Sequence, residues 1–106
     1  MKVGIVIYSN DPETVYNAFR FGNFALGMED EVKLFLMGKG VESESLSTDE
    51  FNITEQINLF LKNGGTTYGC GTCLDTRSSE ASEVCPRSSM MDFYEIVESC
   101  DKVVSF

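Results

Sequence analysis

The sequence is poor in positive charge and lacks histidine and tryptophan altogether. Eight Lys and Arg stand against seventeen Asp and Glu, which gives a formal net charge of −9 at pH 7. A protein that binds the phosphate backbone of nucleic acid or an anionic membrane surface needs a basic stripe. We therefore expect neither of these partners. The absence of histidine also removes one of the usual ligands of protein-bound zinc.

The chain also lacks an apolar run of the roughly 20 residues that cross a bilayer, and its start does not resemble a signal peptide. We therefore expect a cytoplasmic protein without a membrane partner. No linker or internal repeat interrupts the 106 residues, so a single domain spanning residues 1–106 is predicted. In a reducing compartment, the four cysteines are expected to serve catalysis or metal binding rather than a structural disulfide framework.

Short apolar segments alternate with segments of helical character along the chain. Val3–Tyr8 is a nearly continuous apolar run, typical of a parallel strand that is covered on both faces. Asp11 followed by Pro12 predicts a helix start, and Asn52 with Glu55 resembles a capping box. The predicted strands are Val3–Tyr8, Val32–Met37, Thr66–Cys70 and Lys102–Phe106, the predicted helices follow Asp11, Asn52 and Ser88 or Ser89, and residues 42–50 are predicted to form a surface loop.

Strands separated by helices predict an α/β fold, a three-layer sandwich with a mainly parallel sheet of four to five strands flanked by helices. Sites in such sheets form beyond the carboxyl ends of the strands. Three loops meet that condition: Ser9–Asn10, Gly38–Gly40 and Cys70–Cys73. The predicted pocket residues around the two cysteines are Ser9, Asn10, Gly38, Gly71 and Thr72.

The segment Cys70-Gly71-Thr72-Cys73 carries the strongest chemical signal. Two thiols at this spacing can form a disulfide, hold a metal, or share the work of sulfur transfer. A free cysteine has a pKa of about 8.5, so a nearby cation is needed to raise its thiolate fraction at neutral pH. Arg77 can provide this charge, whereas Asp75 would oppose it. Alternatively, Asp75 and Arg77 form a solvated surface pair.

Four segments of the chain resemble the DsrE/DsrF-like family, and in particular its YchN-like branch. They are Phe35–Gly38 after a strand, Phe51–Ile53 at a helix start, Cys70–Arg77 with its paired cysteines, and the closing Ser99–Phe106. The resemblance extends over nearly the whole chain and preserves the order of elements. It implies a small α/β sandwich that assembles as a homo-oligomer, a trimer or hexamer, or as a related hetero-complex.

The same resemblance implies that the protein relays sulfur as a cysteine persulfide between a donor protein and an acceptor protein. Cys70 matches the sulfur-carrying cysteine of the family, and Cys73 matches a second cysteine that some branches have, a possible resolving thiol. Arg77 matches the arginine of the motif. The family usually continues with glycine after this arginine, where this chain has Ser78. No cofactor is expected, and a sulfurtransferase activity is the enzymatic form of this hypothesis.

Two other classes of function remain open from the residues. A metal-binding protein would use Cys70, Cys73, Cys85 and Cys100 as a four-thiolate site, although only one CxxC pair is present. A non-catalytic oligomeric scaffold would use the cysteines for packing only. Cys100 ends a helical pattern and is expected in the core, whereas the role of Cys85 is undetermined. Exposed aromatic residues favour an oligomer: Tyr16, Phe21, Phe24 and Phe106.

Overall fold

The computed structural model describes all 106 residues, which form a five-stranded sheet flanked by helices. No helix in it has both the length and the apolar character that crossing a bilayer requires. The strands are β1 (Lys2–Ile7), β2 (Glu31–Leu36), β3 (Thr66–Cys70), β4 (Arg87–Ser88) and β5 (Lys102–Ser105). The helices are α1 (Pro12–Gly27), α2 (Ile53–Lys62), α3 (Gly71–Thr76) and α4 (Met90–Ser99), with a 3-10 helix over Gly38–Ser45.

The strand order is β4-β3-β2-β1-β5, and every neighbouring pair is parallel. The chain moves across the sheet from β1 to β4 and then returns to the far side of β1. Because parallel crossovers are right-handed, this reversal places α4 on the opposite face from α1 and α2. The predicted α/β fold with a mainly parallel sheet between helices is confirmed.

Aromatic side chains fill both faces of the sheet. On one face, Phe19 of α1 meets Phe60 of α2 edge-on, with ring centroids 5.7 Å apart. On the other face, Phe35 of β2 packs against Phe93 of α4 at 5.1 Å and stacks with Tyr68 of β3 at 6.4 Å. Burial of rings this large dominates the stability of so small a core, and it fixes the position of β3, which carries the cysteine segment.

The helix starts predicted from capping residues are present. The Asp11 carboxylate accepts a hydrogen bond from the Thr14 amide at 3.0 Å, and Pro12 is the first residue of α1. The Asn52 side chain caps α2 by accepting from the Glu55 amide at 3.1 Å. Ser89, one of two predicted caps of α4, forms a full capping box with Asp92.

The structure corrects several boundaries. Residues 42–45 belong to the 3-10 helix rather than to a surface loop, and the Ser43 side chain is fully buried, with its hydroxyl donating to the Gly40 carbonyl at 2.6 Å. Helix α3 and strand β4 are additional to the predicted elements. The first, second and last strands each end one residue earlier than predicted. In α4, Ile96 is buried, while Met91, Tyr94 and Val97 are exposed.

Candidate functional site

The two thiols of the CxxC segment lie in contact at the carboxyl edge of the sheet. Strand β3 ends at Cys70, and α3 starts at the next residue, so that Cys73 returns to the first residue within one helical turn. Both thiols are free, and Cys70 is near enough to raise the pKa of Cys73. Cys70 is only 6% exposed, whereas Cys73 is half-buried. Cys73 is therefore the more accessible sulfur.

A backbone amide of the neighbouring loop points at the Cys73 sulfur. The Gly38 N–H donates to Cys73 Sγ at 3.2 Å. Gly38 has a φ of +58°, a left-handed backbone that glycine adopts without steric cost. Burial raises the pKa of the Cys73 thiol, and its hydrogen bond with Cys70 adds to this, while Gly38 and Arg77 act in the opposite direction.

Arg77 and Glu42 link the cysteine segment to Asn10. Arg77 Nε donates to Glu42 at 2.7 Å, and its Nη1 donates to the Cys73 carbonyl at 3.1 Å. The Asn10 amide donates to the other oxygen of Glu42 at 3.3 Å. These two donors, Arg77 first, lower the pKa of Glu42, so this carboxylate is charged over the neutral range.

The alternative in which Asp75 and Arg77 pair with each other is not what the structure shows. Asp75 instead holds Arg87 of β4 through two hydrogen bonds of 2.9 and 2.7 Å. The Arg87 guanidinium lies against Gly71, where an added Cβ atom would be 3.1 Å from its Cζ and Nε. The hydrogen bond from Arg87 lowers the pKa of the Asp75 carboxyl. Local sequence patterns do not predict this pair, because β4 spans only two residues and gives no periodic signal.

Cys85 was left without a role in the sequence, and the structure places its sulfur directly over Gly69. It is 1% exposed, and only a residue without a side chain fits opposite it. Burial raises the pKa of Cys85 to about 11, with smaller contributions from Glu44, Cys70 and Cys73. Cys85 therefore lies close to the paired thiols but is held as a neutral, buried thiol.

Not every predicted residue contributes to the cluster. The Ser9 hydroxyl accepts from the Asp11 amide at 2.9 Å and so supports the start of α1. Thr72 is exposed, and its carbonyl accepts from the Thr76 hydroxyl at 3.0 Å. Neither side chain hydrogen-bonds with the thiols, whereas Asn10, Gly38 and Gly71 lie within the network.

The four cysteines do not converge on one point. Cys100 packs over β1, where its sulfur would be 3.4 Å from a Cβ atom at Gly4. The other three cluster around β3, two strands away, which corresponds to roughly 9–10 Å across the sheet. No three His, Cys, Asp or Glu side chains are grouped so that they could share a metal ion. A four-thiolate metal site therefore has no geometric support.

The cavities of the molecule lie away from the cysteines. They open near the start of α1, along the exposed side of α4, and at two places around Phe21 and Phe24. None has a cysteine in its lining. The thiols are thus covered by neighbouring side chains rather than held at the base of an open pocket.

The chain is thus a small parallel α/β protein with two neighbouring free thiols at the carboxyl edge of its sheet. The sequence model of the DsrE/DsrF-like family matches residues 1–106, and the chain belongs to this family, as predicted. The crystal structure of the YchN protein from Escherichia coli is similar, with a TM-score of 0.84, 19% identity and full coverage of both chains. A conserved protein of unknown function from Bacteroides thetaiotaomicron has a TM-score of 0.77 at 16% identity, covering 99% of this chain and 94% of its own. No curated protein shows significant sequence similarity.

Proposed function

We propose that the protein is a sulfur-relay protein that carries sulfur as a persulfide on Cys70, with Cys73 as its resolving thiol. The observation that carries this proposal is the placement of two free thiols one helical turn apart at the carboxyl end of β3, with the Gly38 amide donating to Cys73 Sγ. Membership of a family associated with sulfur relay supports it. The partners would be a donor protein and an acceptor protein that each present a thiol, in a reducing compartment such as the cytoplasm.

The reaction needs no external oxidant. The Cys70 thiolate attacks the outer sulfur of a donor persulfide; the donor S–S bond breaks, the donor leaves as a thiolate, and a new S–S bond forms on Cys70. An acceptor thiolate then removes the outer sulfur in the same way. Alternatively, Cys73 attacks the inner sulfur, releases hydrosulfide and leaves a Cys70–Cys73 disulfide. A dithiol reductant then restores both thiols by donating two electrons.

The surroundings of Cys73 suit the resolving role. Cys73 lies one helical turn after Cys70, and the Gly38 amide can donate to its thiolate form. Arg77 is anchored to the Cys73 carbonyl and to Glu42, which places a fixed positive charge beside this thiol. The raised pKa of Cys73 means that it attacks slowly at neutral pH, which gives an acceptor time to take the sulfur first.

Mass spectrometry tests the proposal directly. Protein incubated with a low-molecular-weight persulfide donor is expected to gain about 32 Da on Cys70, one sulfur atom, and to lose it on reduction. Cys70→Ser should abolish the gain. Cys73→Ser should lengthen the lifetime of the persulfide, because the internal attack is removed. Cys100→Ser is the matched control, since its sulfur packs over β1, and it should behave as the native protein does.

Labelling that is unchanged in Cys70→Ser would contradict the proposal and favour a scaffold whose cysteines only pack.

We further propose that the protein functions as a homo-oligomer, a trimer or a hexamer. Large apolar side chains remain uncovered in the single chain, including Phe24 at 70% exposure and Met91 at 64%. Exposed apolar surface of this kind marks interfaces between protein chains.

A further inference from the structure

Arg87 is fixed beside Cys70 by the backbone of β4. In the parallel pairing of β3 with β4, Arg87 is opposite Gly69 and Ser88 is opposite Cys70. The Gly69 amide donates to the Pro86 carbonyl at 2.9 Å, which anchors the segment before Arg87. The main chain that carries this arginine is therefore held against the strand that ends in the proposed carrier thiol.

The guanidinium lies against the peptide that follows Cys70. Arg87 Cζ and Nε would each be 3.1 Å from a Cβ atom at Gly71, so the guanidinium can rest there only because position 71 has no side chain. Asp75, one helical turn further along α3, holds the same group through two hydrogen bonds. Both partners are well exposed, with side-chain exposures of 57% for Arg87 and 62% for Asp75.

Arg77, the cation predicted from the sequence, is already engaged elsewhere. Its Nε and Nη1 are bound to Glu42 and to the Cys73 carbonyl. Arg87, in contrast, is bound only to one exposed carboxylate, and exposed ion pairs hold weakly enough for another anion to compete. The pKa of Arg87 is raised, chiefly by its hydrogen bond to Asp75, and the nearby Cys70 contributes to the increase.

We propose that Arg87 is a positioning residue. Its guanidinium releases the Asp75 carboxylate and binds instead the anionic sulfur that approaches, or rests on, Cys70. A guanidinium stays charged at all relevant pH values and makes strong hydrogen bonds to anions. The inference rests on the proposed function, in which Cys70 is the carrier. The substrates are then sulfur donors whose transferable sulfur is negatively charged.

The test compares two thiol reagents of similar size and different charge. Iodoacetate is an anion and iodoacetamide is neutral, and both form a thioether with the Cys70 sulfur. We would measure both alkylation rates at Cys70 by peptide mass spectrometry, at low ionic strength, where charge effects are least screened. All proteins carry Cys73→Ser, so that only one thiol of the pair reacts. The quantity of interest is the ratio of the iodoacetate rate to the iodoacetamide rate.

Arg87→Gln is expected to lower this ratio by roughly threefold to tenfold, the effect of removing one nearby charge in a largely aqueous setting. Arg87→Lys should retain most of the native ratio, because it keeps the charge. Arg20→Gln removes an exposed arginine from α1 and is the charge-matched control, with no expected change. If Arg87→Gln does not fold, Arg87→Met serves as a second neutral variant with an apolar stem of similar length.

An unchanged ratio in the neutral Arg87 variants would overturn the inference, as would an equal fall in both rates, which indicates a structural role only. The failure of the proposed function is distinguishable from this. If Cys70 never gains a persulfide but the ratio still depends on Arg87, the relay fails and the anion-binding role stands. If the persulfide forms normally in Arg87→Gln with an unchanged ratio, the relay stands and the role of Arg87 fails.

Discussion

The four cysteines differ in what surrounds their sulfur atoms, and these surroundings separate their chemistry. Cys70 and Cys73 contact each other at the edge of the sheet, next to polar and charged groups. Cys85 is enclosed beneath them, and Cys100 packs against β1 and α4. A thiolate is needed for nucleophilic attack, and burial disfavours the charged form. Burial therefore holds Cys85 in its neutral form, whereas Cys73 is half-buried beside the Gly38 amide and Arg77.

The buried thiol of Cys85 predicts a loss of stability at high pH. Its pKa is about 11 in the folded protein against 9.0 as the ordinary value, so the unfolded chain releases this proton first as the pH rises. The stabilisation is complete below pH 9 and is lost as the pH approaches 11, at a cost of about 2–3 kcal/mol. Denaturant unfolding under reducing conditions should show this decline.

The matched variant is Cys85→Ala, which removes the ionisable group. Subtracting its stability from that of the native protein at each pH cancels the titration of other groups, including Cys73, whose pKa is also raised. We expect the difference to shrink between pH 9 and about 11. A constant difference across this range would show that Cys85 does not titrate in the way its burial implies.

At the scale of elements, the 3-10 helix connects the core to the site. Its second glycine, Gly40, lies so close to the Ile7 carbonyl of β1 that a side chain there would collide with the backbone. The same helix begins at Gly38, whose amide binds the Cys73 sulfur, and it carries Glu42, which anchors Arg77. Close packing of this short element against β1 therefore sets the surroundings of the reactive pair.

Gly40→Ala should dislodge this helix. We expect a loss of about 1–3 kcal/mol in the free energy of unfolding, typical of overpacking, and faster hydrogen exchange at the Gly38 amide. Gly27→Ala is the control, since nothing lies within 4 Å of a Cβ atom there. It should leave the Gly38 amide protected, with stability unchanged or higher by up to about 1 kcal/mol. Equal exchange rates in the two variants would argue against the link.

Another element, the turn after α3, places a serine in a backbone conformation that favours glycine. Ser78 has a φ of +49°. Its amide donates to the Asp75 carbonyl at 3.0 Å, and the Ser79 amide donates to the Leu74 carbonyl at 2.9 Å. These bonds hold the serine in a left-handed turn.

At the scale of the whole molecule, strong negative charge coexists with uncovered apolar surface. The net charge of −9 opposes nonspecific association, whereas apolar faces favour a specific one. One recess, of about 380 Å³, is formed where α1 meets the start of β1, with Phe21, Phe24 and Met28 in its lining. In the proposed homo-oligomer, we expect this recess to be covered by another copy of the chain.

Light scattering on purified protein is expected to give three or six times the mass of one chain. Phe24→Asp should shift the population towards the monomer, because it places a charge on the most exposed ring of that recess. Leu59→Asp makes the same chemical change at an exposed position of α2, outside the recess, and should leave the mass unchanged. A monomeric native protein would contradict the oligomer, and dissociation by both variants alike would contradict the location.

Much of the architecture follows from local patterns in the sequence. The apolar run of β1 indicates a strand covered on both faces, and Asp11-Pro12 and Asn52 mark helix starts through capping that involves only neighbouring residues. The carboxyl-edge rule placed Asn10, Gly38 and the cysteine pair near one another, because parallel strands end at the same edge. The CxxC spacing and Arg77 are read directly from the sequence, and the family resemblance adds the roles expected of Cys70, Cys73 and Arg77.

Only the tertiary structure decided the contacts between residues that lie far apart in sequence. Glu42 and Arg77, Arg87 and Asp75, and Cys85 over Gly69 all meet through packing of separate elements. A two-residue strand and a short 3-10 helix carry no periodicity, so nothing local predicts which charge faces which thiol. The sequence by itself determined most of the sheet and the thiol pair, because apolar runs and the spacing of two cysteines are local features. The charged neighbours of the thiols were decided by packing between elements that are distant in sequence.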